Sequence, residues 1–143
     1  MSNGRRVLFL DDDPARGEAF LSWVPEAVWV QTAAGCVERL DEPWDEVHLD
    51  HDLGGETFVD HDRDDCGMEV VRWLCDEFRP HLQGTQFVVH THNVNAACAM
   101  VFQLQSTGYL VSQSPFGAPA GDRPPNPWLA ALARLLGRFA ARR

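Results

Sequence analysis

The chain has 143 residues, 45% of them hydrophobic and 23% charged, and a formal net charge of -9. Such a composition is that of one globular domain with enough apolar material for a buried core, not of a disordered segment. The acidic balance argues against a protein that coats duplex DNA or docks a polybasic face on a membrane, although a bound metal ion can reverse the local field and admit a phosphate. All twelve basic residues are Arg, and Lys is absent. Cys36, Cys66, Cys75 and Cys98 show neither Cys-x-x-Cys nor zinc-finger spacing and read as reduced, mostly buried thiols of a cytoplasmic protein. The few apolar residues after Arg5-Arg6 are too short a run for a signal peptide, and no run approaches the length of a membrane span.

In chain order, Arg5 to Leu10 is apolar on both faces, as in a buried parallel strand, and runs into Asp11-Asp12-Asp13. Asp13-Pro14 is a helix start, with Asp as N-cap and Pro at the first helical position. The helix to about Trp23 would turn Phe20, Leu21 and Trp23 inward, and Pro25 ends it. Ala27 to Thr32 is a second strand and Ala34 to Leu40 a short helix. A third strand, Glu46 to Asp50, leads through His51 and Asp52 to Gly54-Gly55 and an acidic loop that reaches Asp65. Met68, Val71, Leu74, Cys75 and Phe78 recur at helical spacing before Pro80. Gln86 to His90 is the fourth strand, followed by Thr91-His92-Asn93 and a helix from Asn95 to Thr107 that Gly108 caps. Tyr109 to Val111 is the fifth strand. An α/β unit over 1–117 would then pass through a Pro/Gly-rich linker, 118–127, to an amphipathic C-terminal helix, 128–143, packed on the same domain.

Alternating strands and helices with right-handed crossovers imply an α/β fold: a single doubly wound five-stranded parallel sheet. The flavodoxin-like order 2-1-3-4-5 fits the length and makes the first, third and fourth strands neighbours. Their polar ends would converge at the sheet's carboxyl edge, where ligands of open α/β sheets bind. Asp11, Asp12 and Asp50 would there repel one another unless a divalent cation joined them; the alternative is that they cap helices and face solvent. An all-oxygen set favours magnesium or manganese, and mixed Asp/His ligation would bring in zinc or iron. His51, His90 and His92, with Asp52, are candidates for proton transfer, and Thr91 and Asn93 for holding a phosphate.

An acidic pair after the first strand (Asp11, Asp12), an Asp ending the third (Asp50) and a Thr ending the fourth (Thr91) resemble the receiver domain of bacterial response regulators, a CheY-like fold. That resemblance implies magnesium binding and phosphorylation of Asp50. Receivers also carry a Lys before a Pro at the end of the fifth strand; here Ser114 precedes Pro115. Leu10-Asp11-Asp12-Asp13, Leu49 to Gly55, the Asp-rich loop into Cys66-Gly67, His90-Thr91-His92-Asn93, Tyr109 and Ser114 to Gly117 together resemble a specialised branch, the cyclic-phosphate processing receiver-like domains, over about residues 5 to 117. That branch implies action on cyclic phosphates of nucleotides or RNA ends. A metal-dependent phosphoesterase, a receiver-type signalling module and a non-catalytic ligand-binding domain are the three functions these residues admit.

Overall fold

Every residue of the first and third strands is buried, which requires a sheet covered on both faces. The computed structural model describes residues 4–53, 65–91 and 93–114. Its elements are β1 (Val7–Leu10), α1 (Pro14–Trp23), β2 (Val28–Val30), α2 (Ala33–Arg39), β3 (Glu46–Leu49), α3 (Gly67–Asp76), a 3-10 turn (Pro80–Leu82), β4 (Gln86–Val89), α4 (Val94–Thr107) and β5 (Leu110–Gln113). The sheet has five parallel strands in the order β2-β1-β3-β4-β5, as the sequence predicts. The chain steps outward to β2, then returns past β1 to β3. The carboxyl ends of β1 and β3 therefore flank the switch point where a crevice opens.

Alternation divides the strand residues between two unlike layers. Leu8, Leu10, Val47, Leu49, Phe87 and Val89 enter the larger core with Cys36, Leu40, Val71, Leu74, Met100 and Leu104, against α2, α3 and α4. Val7 and Phe9 turn to the other face and pack with Phe20 of α1, flanked by Val24, Ala27 and Trp29. Phe9 and Phe20 stack with centroids 4.1 Å apart. Trp23 departs from its expected inward position: it ends α1 and is 42% exposed. Phe78, expected within the helix, lies past its end: α3 stops at Asp76, and the Phe78 ring lies 5.0 Å from that of Tyr109.

The helix starts are chemically simple. Asp13 caps α1 by accepting from the Ala15 and Arg16 N–H groups, and Thr32 caps α2 by accepting from Gly35. Gly108 ends α4 at φ 107°, a left-handed conformation that side chains disfavour. The buried Tyr109 hydroxyl donates to the Leu74 carbonyl at 2.7 Å, tying the end of α3 to the start of β5. All four cysteines are free; Cys36 and Cys66 are buried as expected, whereas Cys98 is exposed. The linker 118–127 and helix 128–143 lie outside the described residues. Among the described residues, no helix is long and apolar enough to cross a membrane.

Candidate metal centre and phosphate site

The hydrogen-bond ladder runs one residue past each strand and fixes where the polar ends fall. Asp11 donates its N–H to Val30, Asp50 to Leu10 and His90 to Leu49, at 3.1, 3.1 and 2.8 Å. Asp11, Asp50 and His90 thus succeed one another across the ends of three adjoining strands. Asp11 and Asp50 are 0% and 2% exposed. One carboxylate oxygen from each of Asp11, Asp12 and Asp50 lies within 4.8 Å of the others. Such a set fits a hard divalent cation that takes oxygen ligands, magnesium or manganese in preference to zinc. Among the described residues no imidazole joins that group.

A guanidinium lies against these carboxylates. Arg16, in the first turn of α1, donates from Nε and Nη2 to the two oxygens of Asp11 at 2.7 and 2.9 Å, a bidentate fork. Its Nη2 also approaches Asp50 Oδ2 at 3.5 Å, and Nη1 lies 3.1 Å from Asp13 Oδ2. The sequence alone, in which the three carboxylates repel one another unless a divalent cation joins them, did not point to this residue. The signal was available: in a chain without Lys, Arg16 stands one helical turn past the N-cap that follows the acidic run.

Burial governs the ionisation of the two inner carboxyls. Asp50 is pushed up to about 8, first by burial and then by the charge of Asp11, with Arg16 and the His51 N–H pulling the other way. Asp11 is also raised by burial, against the hydrogen bonds from Arg16 and the Asp13 N–H. Without a metal ion, burial therefore holds these two carboxyls toward their neutral form, and a cation would favour their ionised form.

The neighbouring residues divide by how their polar atoms are used. His51 is fully buried, and its Nδ1 lies 2.8 Å from Asp52 Oδ1. A carboxylate accepts only, so Nδ1 carries the proton and Nε2 is the bare nitrogen. That Nε2 is buried without a hydrogen-bond partner among the described residues. The His51–Asp52 peptide is held by the start of α3: Gly67 N–H donates to the His51 carbonyl at 2.9 Å. A Cβ on Gly67 would meet the Asp50 carbonyl oxygen at 2.0 Å, so no side chain fits there. Thr91 is buried, and its hydroxyl accepts from the Asn93 N–H at 3.1 Å. Asn93 caps α4 by accepting from Ala96 at 3.2 Å. His92 lies outside the described residues.

His90 belongs to a polar file on the α1 face. Its Nδ1 donates to the Ser114 carbonyl at 2.6 Å, and its Nε2 meets His48 Nδ1. His48 Nε2 in turn meets Glu46 Oε1, and Arg5 pairs with Glu46. Glu46 and His48 were not singled out in the sequence, though they alternate with Asp50 along a buried central strand. Polar residues at period two on such a strand are the mark of a buried network.

A family model described as "Cyclic-phosphate processing Receiver domain" matches residues 6–106. Among solved structures, the BeF3-activated DrrB receiver domain is similar at TM-score 0.52 and 18% identity, over 93% of this chain and 97% of that one. A two-component response regulator from Cytophaga hutchinsonii is similar at TM-score 0.57 and 13% identity, over 81% and 90%. At these identities the likeness is one of fold. No functionally curated protein matches the sequence.

Proposed function

The chain belongs to the cyclic-phosphate processing receiver domain family, and from that premise we propose that its strand-end site binds a divalent cation, magnesium or manganese, and opens cyclic phosphate esters of nucleotides or RNA ends. The observation that carries the reading is the convergence of Asp11, Asp12 and Asp50 with a neighbouring imidazole whose Nε2 has no partner among the described residues. Asp11, Asp12 and Asp50 would hold the ion. When bound, the ion supplies charge neutralisation at a phosphoryl oxygen and acidifies a bound water.

The protein's own groups have separable roles. Asp52 fixes the His51 ring with its Nδ1 protonated, which leaves Nε2 to accept a proton from the attacking water. His51 suits that role better than His90, because both ring nitrogens of His90 are engaged, by His48 and by Ser114. Thr91 and Asn93 stand at the end of β4 as phosphate donors through the Thr91 hydroxyl and the Asn93 side-chain amide. His92 is a further candidate for that contact.

The test is hydrolysis of 2′,3′-cyclic and 3′,5′-cyclic nucleotides with added manganese or magnesium. Metal-dependent turnover of at least one class is expected, with Asp50→Asn abolishing metal binding and turnover together. His51→Ala should lose most turnover while still binding metal. No hydrolysis of either class by a metal-loaded protein would reject the enzymatic reading.

The response-regulator neighbours and the positions of Asp50 and Thr91 favour a second reading, a phosphoacceptor module. Intact mass after incubation with a small phosphodonor and metal separates the two. A stable stoichiometric adduct on Asp50 would favour the second; none is expected from the first.

A further inference from the structure

Arg16 has no part in the roles just assigned, yet it makes the closest ionic contacts in the acidic site. Its fork covers both oxygens of Asp11 and reaches Asp50. Asp11 and Asp50 belong to the same cluster that a divalent ion would use. A guanidinium forked over both oxygens of Asp11 competes with a metal ion for their lone pairs and repels it. The side chain is 38% exposed, so it stands at the mouth of the site and has room to turn outward. Asp13, itself 39% exposed, would keep it nearby. Because the chain has no Lys, any permanently charged side chain beside a bound phosphate is an Arg. Among the described residues, Arg16 is the one whose ion pairs reach Asp50.

We propose that Arg16 is the resident cation of the apo site and exchanges places with the divalent ion, after which its freed fork binds the phosphate of the ligand. The fork geometry suits both partners, because carboxylate and phosphate each accept two parallel N–H bonds. The inference rests on the metal-site reading above and adds two consequences. Arg16 lowers the apparent metal affinity, because each ion must displace it. It also links the two ligands: phosphate stabilises the displaced guanidinium, so phosphate tightens metal binding, and metal tightens phosphate binding by the same factor.

The experiment uses the full chain, stripped with a chelator, titrated with manganese by calorimetry with and without inorganic phosphate. Arg16→Gln should bind manganese roughly tenfold more tightly than the unaltered protein in the absence of phosphate. Added phosphate should tighten manganese binding by the unaltered protein, and this gain should be several-fold smaller in Arg16→Gln, where only the direct contact of phosphate with the ion is left. Arg16→Lys, which keeps the charge but not the fork, should fall between the two and covers the case in which Arg16→Gln does not fold. Equal or weaker manganese binding by both variants would overturn the exchange and leave the metal-site reading standing. Undiminished phosphate coupling in Arg16→Gln would overturn the role as phosphate anchor. No manganese binding by any of the three would overturn the metal site and the inference with it.

Discussion

The two faces of the sheet solve different problems with strands of the same length. Against α2, α3 and α4 the inward residues form a continuous apolar cluster, from Leu8 through Leu74 to Leu104. Among the described residues, the apolar cluster against α1 is Val7, Phe9 and Phe20, with Val24, Ala27 and Trp29 at its edge. Beside Val88, that face carries Glu46, His48 and His90, then Asp11 and Asp50 at the carboxyl edge, all buried. Burying those groups costs free energy unless hydrogen bonds and counter-charges compensate. The comparison teaches a division of labour: the α2–α4 face supplies the stability that allows the α1 face to hold charge out of water.

The division can be broken most directly on the apolar side. Leu74 is fully buried in the larger cluster, so Leu74→Ala is expected to cost about 3–4 kcal/mol in urea unfolding, from lost burial and a cavity. Val24, half-buried at the edge of the small cluster, should cost about 1 kcal/mol when cut to Ala. Equal losses at the two positions would refute the claim that stability is concentrated on one face.

The next largest effect lies in the acidic site and depends on pH. In the folded, metal-free protein Asp50 keeps its proton until about pH 8, whereas the unfolded chain releases it near 3.8. Its contribution is therefore fully present below pH 3.8 and is lost as pH rises through about 8. In chelator, raising the pH from 5 to 7.5 should cost the unaltered protein about 3 kcal/mol more than it costs Asp50→Asn. Parallel pH profiles for the two proteins would show that Asp50 carries no such penalty.

The polar file sharpens the contrast at a smaller scale. His48 contacts both Glu46 and His90, so its hydrogen bonds are shared along a chain. A double-mutant cycle of Glu46→Gln with His48→Asn should give a coupling of about 1–2 kcal/mol, because either change alone disturbs the same contact. Additive losses would mean that the two residues are merely neighbours.

Legibility in the sequence follows the same division. Strand order, the Asp13-Pro14 start of α1, the Gly108 cap and the α3 stripe from Met68 to Leu74 were all readable, because they depend on local chemistry and on periods of two and 3.6. The convergence of Asp11, Asp12 and Asp50 was readable because register follows from topology. Trp23 was misplaced because helical spacing sets direction but not whether anything covers the last turn. Arg16 was missed because a side chain of that length reaches back five positions to Asp11, beyond what strand-end reasoning samples. His48 was missed because the third strand was read as an apolar alternation, which hid the buried partners of its polar positions.

The smallest prediction pairs two helix caps, one for each face. Thr32 caps α2 through Oγ1, accepting from the Gly35 N–H at 3.0 Å, and α2 contributes Cys36 to the larger apolar core. Asp13 caps α1 through Oδ1, accepting from the Ala15 N–H at 2.8 Å, and its other oxygen faces Arg16 at 3.1 Å. Thr32→Ala and Asp13→Ala should each cost about 1 kcal/mol, since each removes one cap from a short helix. The ion pair of Asp13 with Arg16 adds little to that figure, because both side chains are more than a third exposed. The caps should differ in a second measurement. Manganese affinity should be unchanged by Thr32→Ala and weakened about threefold by Asp13→Ala, because one negative charge leaves the mouth of the site while water still screens it. If both caps altered manganese affinity equally, the two faces would be coupled through the sheet, and their separation into a stabilising face and a charged one would fail.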